Sequence, residues 1–132
     1  MIQVTQQQRD NALDALHNMW PSVPLENVYP GLTQFRKPLD LDAPASCRII
    51  ACFGGWCAVW PNFQKQGVNV GPTGAPQLTY HTSPEAVSVR IFGTPGLFMP
   101  RGSHLADRGY RGTDHQCATR RLEWLIANSE VV

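Results

Sequence analysis

Charge is scarce in this sequence of 132 residues. Asp, Glu, Lys and Arg make up only 16% of it, against roughly a quarter in ordinary soluble domains. A disordered tail or a charged coiled coil is thereby excluded. An excess of one sign is also missing: the formal net charge is +1, whereas a general nucleic-acid binder is more basic. No apolar run approaches the ~20 residues of a membrane-crossing helix. The N-terminal stretch M-I-Q-V-T-Q-Q-Q-R-D is polar and lacks the apolar centre of a signal peptide. A cytoplasmic location without membrane contact is therefore expected. Cysteines there are normally reduced, so the four in this chain need not form two disulfides. Several catalytic signatures are absent as well. There is no G-x-S-x-G and no paired-carboxylate motif. The glycines of 67–76 fit neither the phosphate loop nor the dinucleotide fingerprint. Internal repeats and low-complexity tracts are lacking too.

Proline and glycine, by contrast, are plentiful at eleven each, which implies short elements and much ordered loop. Thr5-Gln6-Gln7-Gln8 reads as a capping-box helix start, followed by Ala12, Leu13, Leu16 and Met19 at helical spacing. Trp20-Pro21 should end that helix, because a residue before proline avoids the helical region. Residues 21–46 hold five prolines and form an irregular arm whose apolar side chains suggest that it packs on the body. In 47–60, Ile49, Ile50, Phe53, Trp56, Cys57 and Trp60 recur at steps of three and four. They predict a buried helix, capped by Ser46, weakened by Gly54-Gly55, stopped by Pro61 and anchored by its two tryptophans. Val68-Asn69-Val70 and Gln77-Leu78-Thr79-Tyr80 flank a glycine-rich turn and read as a two-stranded hairpin. Ser83-Pro84-Glu85 opens a helix that breaks at Gly93. A polar loop over 100–112 leads to a second capping box, Thr113-Asp114-His115-Gln116. The last helix carries Ala118, Leu122, Leu125 and Ile126 on one face and ends near Asn128, with Arg120, Arg121 and Trp124 off that face. The fold class expected is a small α+β single domain over 1–132, mostly helical, with a short hairpin and a long Pro-rich arm.

A set of short motifs runs through this pattern. Cys47 and Cys52 make C-x4-C with Gly55-Trp56 after them; Pro61-x-Phe63 and Gly67-Val68 follow. Ala86 to Phe92-Gly93 stands for an A-x4-F-G segment with one residue more between its ends, then comes Leu97-Phe98, and Arg121 to Ile126 closes with R-x-x-x-L-I. In this order they resemble a group of small uncharacterised proteins of phage and prophage genomes, over residues 47–126. The sequence departs from that pattern at Arg48-Ile49, where the group often has glycine and threonine. The resemblance implies a setting rather than an activity: a phage-encoded accessory protein in a bacterial cytoplasm, where such proteins often antagonise host defence.

The cysteines admit a metal reading. Cys47 with Cys52, and His115 with Cys117, supply two ligand pairs at spacings seen in zinc sites. If 47–57 were one helix, however, residues five apart would stand about 140° apart around it and would not converge on one ion. Reduced cysteine is also among the most buried residue types. Core is the preferred reading, with a small zinc module kept as an alternative.

The loop P-R-G-S-H-L-A-D-R-G-Y-R-G-T-D-H, residues 100–115, is the candidate site. Arg101, Arg108 and Arg111 suit a phosphate or carboxylate, Tyr110 can stack on a base, and His104 and His115 are titratable. Thr113 opens a helix whose N-terminus favours anions. The bland alternative is a solvated loop in which Asp107 and Asp114 neutralise some of the arginines. The leading expectation is a non-enzymatic binding protein. It would sequester a small anionic or nucleotide-like ligand or block a host protein, without cofactor or assigned catalytic residue, and sequestering proteins are often homo-oligomers. The alternative is an enzyme on a nucleotide or phosphoester, with His104 or His115 as acid–base.

Overall fold

The computed structural model describes residues 1–28, 37–38, 49–50, 52–71, 75–78 and 83–132. Cys47, Arg48, Ser46, Thr79, Tyr80, His81 and most of the arm (29–36 and 39–46) lie outside the described residues. The chain runs β1 (Ile2–Val4), α1 (Gln6–Asp14), a π turn (Ala15–Met19) and 3-10 turns at Trp20–Ser22 and Leu25–Asn27. β2 (Lys37–Pro38), β3 (Ile49–Ile50), α2 (Phe53–Val59), α3 (Pro61–Lys65), β4 (Asn69–Val70) and β5 (Pro76–Gln77) follow. Then come α4 (Pro84–Phe92), 3-10 turns at Pro95–Phe98 and Leu105–Asp107, α5 (Asp114–Ala127) and β6 (Ser129–Val131). β4 and β5 pair antiparallel, as do β2 and β3, while β1 and β6 pair in parallel. The protein is a small, mostly helical α+β fold.

Local chemistry sets the helix ends. Thr5 Oγ1 accepts the Gln8 N–H at 3.1 Å and Gln8 Oε1 accepts the Thr5 N–H at 2.9 Å. Thr113 and Gln116 repeat the exchange at 3.1 and 3.2 Å. Each box satisfies two of the N–H groups that a helix start leaves orphaned. Ser83 caps α4, Pro84 takes its first turn, and Gly93 ends it at φ +85°. A Cβ on Gly93 would stand 2.7 Å from Val4 Cγ1, so α4 closes onto β1 only because this residue is glycine.

Three expectations need correction. The helix expected over 47–60 begins only at Phe53. Ile49–Ile50 is a strand, as suits two β-branched residues, and Cys52 is extended at ψ 179°. Pro61 does stop α2, with Trp60 at ψ 123°, yet it also opens α3; a proline tolerated in a first turn can do both. Trp20 stays in the right-handed helical region, φ −65° and ψ −39°, and carries the chain into a 3-10 turn instead of stopping it. Proline at the second position of that new turn lacks only an N–H that would be unpaired anyway.

The core is aromatic at its centre. Phe53 meets Trp20 edge-on at 5.2 Å, Phe98 at 5.9 Å and Phe92 at 6.0 Å, and Phe63 meets Phe92 at 5.6 Å. These are separations at which ring pairs add to burial. Ala12, Ala15, Met19, Val87, Ile91, Leu97, Leu122 and Leu125 close around them. Trp56 and Trp60, expected as anchors, are half-buried at the rim. Their indole N–H groups donate to the Asn27 carbonyl at 3.0 Å and to Asp14 Oδ2 at 2.8 Å. An indole with a polar edge is placed where that edge finds a partner, which Phe53 does not require. Val23 and Val28, at the start of the arm, are buried.

Candidate functional site

The loop after α4 is wired to α5 by one arginine. Arg121 lies four residues after Cys117 and four before Leu125, on the face that also buries Ala118 and Leu122. It is therefore not off the apolar face, as expected from its charge, but 1% exposed. Its Nε donates to Asp107 Oδ1 at 3.0 Å and its Nη2 to Asp107 Oδ2 at 2.6 Å. Nη1 also donates to the Met99 carbonyl at 2.6 Å, and Nη2 to that of Pro100 at 3.0 Å. Asp107 accepts three further bonds: from the N–H groups of Gly102 and His104, at 2.9 and 3.3 Å, and from the Cys117 thiol at 3.0 Å. Burial by itself would raise the Asp107 pKa. The Arg121 and Cys117 donors outweigh it and hold the carboxyl far below its ordinary range. The pair is thus charged, bidentate and almost completely satisfied, which a buried ion pair must be to persist.

Most of the expected ligand residues serve this framework. His104 is 7% exposed. Its Nδ1 accepts the Ala106 N–H at 3.0 Å, and its ring meets Trp124 edge-on at 4.8 Å. Burial, and then the nearby Arg121 charge, push its pKa down, so the neutral ring with the proton on Nε2 fits the site. His115 is held from both ends. Its Nε2 donates to the Trp20 carbonyl at 2.8 Å, its own carbonyl accepts the Trp20 indole N–H at 2.7 Å, and the rings stack at 4.6 Å. Arg101 pairs with Asp114 at 2.7 Å and donates to the Gly112 carbonyl, as expected of an aspartate in this loop. Thr113 occupies the α5 N-terminus with its own cap. Arg101, Thr113 and His115 do come together, with Leu25, Val28 and Asp114, around a groove of about 320 Å³. Its arginine and aspartate neutralise each other.

A different subset faces solvent. Arg108 and Arg111 are exposed and have no ion-pair partner among the described residues. Between them Tyr110 lies across Gly112, where any Cβ would strike the phenol. Its hydroxyl donates to Gln116 Oε1 at 3.0 Å. Arg120, exposed on α5, sits 4.2 Å from the Tyr110 ring centroid, a cation–π distance, and its Nε reaches the Ala106 carbonyl at 3.4 Å. Arg120, which was not among the expected residues, thus packs on Tyr110, and the exposed Arg108 and Arg111 flank that tyrosine along the loop. The signal for Arg120 was present in its position off the apolar face of the last helix.

Cys52, Cys57 and Cys117 are buried free thiols. Burial raises all three pKa values: Cys57 well above the ordinary thiol, and Cys117 to about 11 with help from the Asp107 hydrogen bond. Among the described residues no three His, Cys, Asp or Glu side chains converge as a metal-binding set. Cys52 stands at the N-cap position of α2 without a side-chain cap bond, Cys117 is hydrogen-bonded to Asp107 and His115 to Trp20; the fourth residue of the zinc alternative, Cys47, lies outside the described residues. A second groove, about 410 Å³ and mostly apolar, is lined by Val23, Pro24, Trp56, Val59, Trp60 and Pro61. No helix among the described residues is long and apolar enough to cross a membrane. Compared with protein-family models, curated proteins and solved structures, the chain matches none.

Proposed function

We propose that this is a non-enzymatic binding protein that holds an anionic partner on the edge formed by Arg108, Tyr110, Arg111 and Arg120. The observation that carries the reading is a set of solvent-facing arginines on a loop that Arg121 and Asp107 lock to α5. A surface ordered before binding loses less entropy on binding, and guanidinium groups suit carboxylate or phosphate. Two features favour binding over turnover. An acid–base histidine needs a ring nitrogen free to reach a reacting group, yet His104 is buried on its neighbours and His115 is clamped to Trp20. The three described thiols are buried and raised in pKa, the opposite of an activated nucleophile. In the setting that the resemblance implies, a phage-encoded protein in a host cytoplasm, the target is a component of host defence.

Native mass spectrometry of protein purified from bacterial cells, repeated after denaturation, tests this. The expected result is an anionic ligand or acidic protein carried by the natural chain, released unchanged on denaturation, and missing from the Arg108→Ala/Arg111→Ala variant. Identical spectra for the two chains overturn the reading, and so does a retained molecule that the arginine variant also keeps.

A further inference from the structure

The class of partner can be narrowed from what surrounds the arginines. Leu105 is 56% exposed, and its exposure is built in. It opens the 3-10 turn Leu105–Asp107, whose cap His104 and last residue Asp107 both turn inward, one against Trp124 and the other to Arg121. The next residue after the turn is Arg108, whose N–H donates to the Leu105 carbonyl, and Tyr110 N–H donates to that of Asp107. Arg120 reaches Ala106 from the helix side. One exposed apolar residue therefore belongs to the same short, pinned segment as Arg108, Tyr110 and Arg111, and Arg120 reaches that segment from α5. Leu105, Arg108, Arg111 and Arg120 are all exposed, as suits a surface edge rather than a cavity that encloses a small molecule.

Charge gives the sign of the occupant. The two aspartates of the loop are engaged, Asp107 with Arg121 and Asp114 with Arg101, which leaves the outward arginines in excess on this edge. Composition gives its kind. Arginine and tyrosine around a solvent-facing apolar residue are the makings of a protein–protein hot spot. A nucleotide phosphate would use the arginines and leave Leu105 in water. A nucleic acid would call for a longer basic track than three arginines on a chain of net charge +1.

Resting on the binding reading above, we infer that the occupant is an acidic polypeptide segment. Its carboxylates meet Arg108, Arg111 and Arg120, and an apolar side chain of the segment covers Leu105 beside Tyr110. Fluorescence anisotropy at low salt tests this with four labelled probes: a peptide alternating glutamate with leucine, its glutamine counterpart, ATP, and a 20-nucleotide single-stranded DNA. The expected result is that the glutamate peptide binds and the glutamine peptide does not. Arg108→Glu/Arg111→Glu should weaken binding by about tenfold or more, and Leu105→Ser by about fivefold. Arg90→Glu, on α4, should leave it unchanged, and all variants should melt as the natural chain does. Glutamate-peptide binding that ignores Leu105→Ser overturns the polypeptide inference while leaving the anion-binding edge standing. Tighter arginine-dependent binding of ATP or DNA does the same. If the arginines matter for none of the probes, both readings fall.

Discussion

Asp107→Asn is the most informative single change in this protein. The side chain keeps its size, so packing around it is nearly unchanged. What changes is charge and donor count. Asp107 is the counter-ion of Arg121, and both side chains are almost fully buried. It also accepts from two backbone N–H groups and one thiol. With asparagine, whichever oxygen is replaced sets an amide N–H against donors: Arg121 Nη2 with Gly102 and His104 on one side, or Arg121 Nε with the Cys117 thiol on the other. The guanidinium is then a buried charge without a counter-charge, which costs about 3–5 kcal/mol. A domain of this size has roughly 5–15 kcal/mol in total, so the loss is a large part of it. The midpoint of thermal unfolding should fall by about 11–18 °C, read from tryptophan fluorescence and checked by urea titration. Arg121→Met should cost a similar amount, and the double variant Asp107→Leu/Arg121→Met much less than the sum, because two partners of one pair do not add. A loss under about 1 kcal/mol for Asp107→Asn, within the range of exposed pairs, would refute the claim that this ion pair locks the loop.

The same pair sets an acid limit. Its carboxyl is held below the ordinary 3.8, so its stabilisation is complete above that pH and drains as pH falls towards the folded value; Asp107→Asn should flatten this part of a stability–pH curve. His104 acts at higher pH. Its pKa lies below the ordinary 6.5, because burial and Arg121 outweigh the attraction of Asp107. Unfolded chains therefore take up this proton first, stability should decline as pH falls below 6.5, and His104→Gln should remove that slope in urea titrations at pH 7.5 and 5. Gly93→Ala should destabilise by about 1–3 kcal/mol, since it forces φ +85° on alanine and sets its Cβ against Val4 and Gln8; an unchanged melting point would contradict the close approach of α4 to β1. Cys52, Cys57 and Cys117 should escape iodoacetamide in the folded protein at pH 8 and react after denaturation, as mapped by peptide mass.

Much of the local structure was legible in the residues because local forces decide it. Both T-x-x-Q boxes, the Ser83-Pro84 start, the Gly93 stop and the hairpin about the glycine-rich turn need only near neighbours. The elements missed are those made by distant partners. Ile2–Val4 is a strand because Ser129–Val131 lies beside it, a pairing across the length of the chain that no short pattern carries. Ile49–Ile50 followed helical spacing equally well, yet pairing with Lys37–Pro38 took it into a strand.

The candidate site divides along the same line. Its residue types were plain in the sequence: arginines, a tyrosine and glycines in one loop before a helix. Which of them face solvent was decided only in three dimensions. Arg121 looks like a surface residue until Asp107, fourteen positions earlier, comes within 2.6 Å of it. Once that pair forms, His104 turns inward, Leu105 is left outside, and Tyr110 lies between Arg120 and Gln116. Sequence determined the secondary structure that hydrogen bonds between near neighbours can specify. Tertiary structure decided which charges are buried, because that depends on a counter-charge and on carbonyls supplied by another part of the chain.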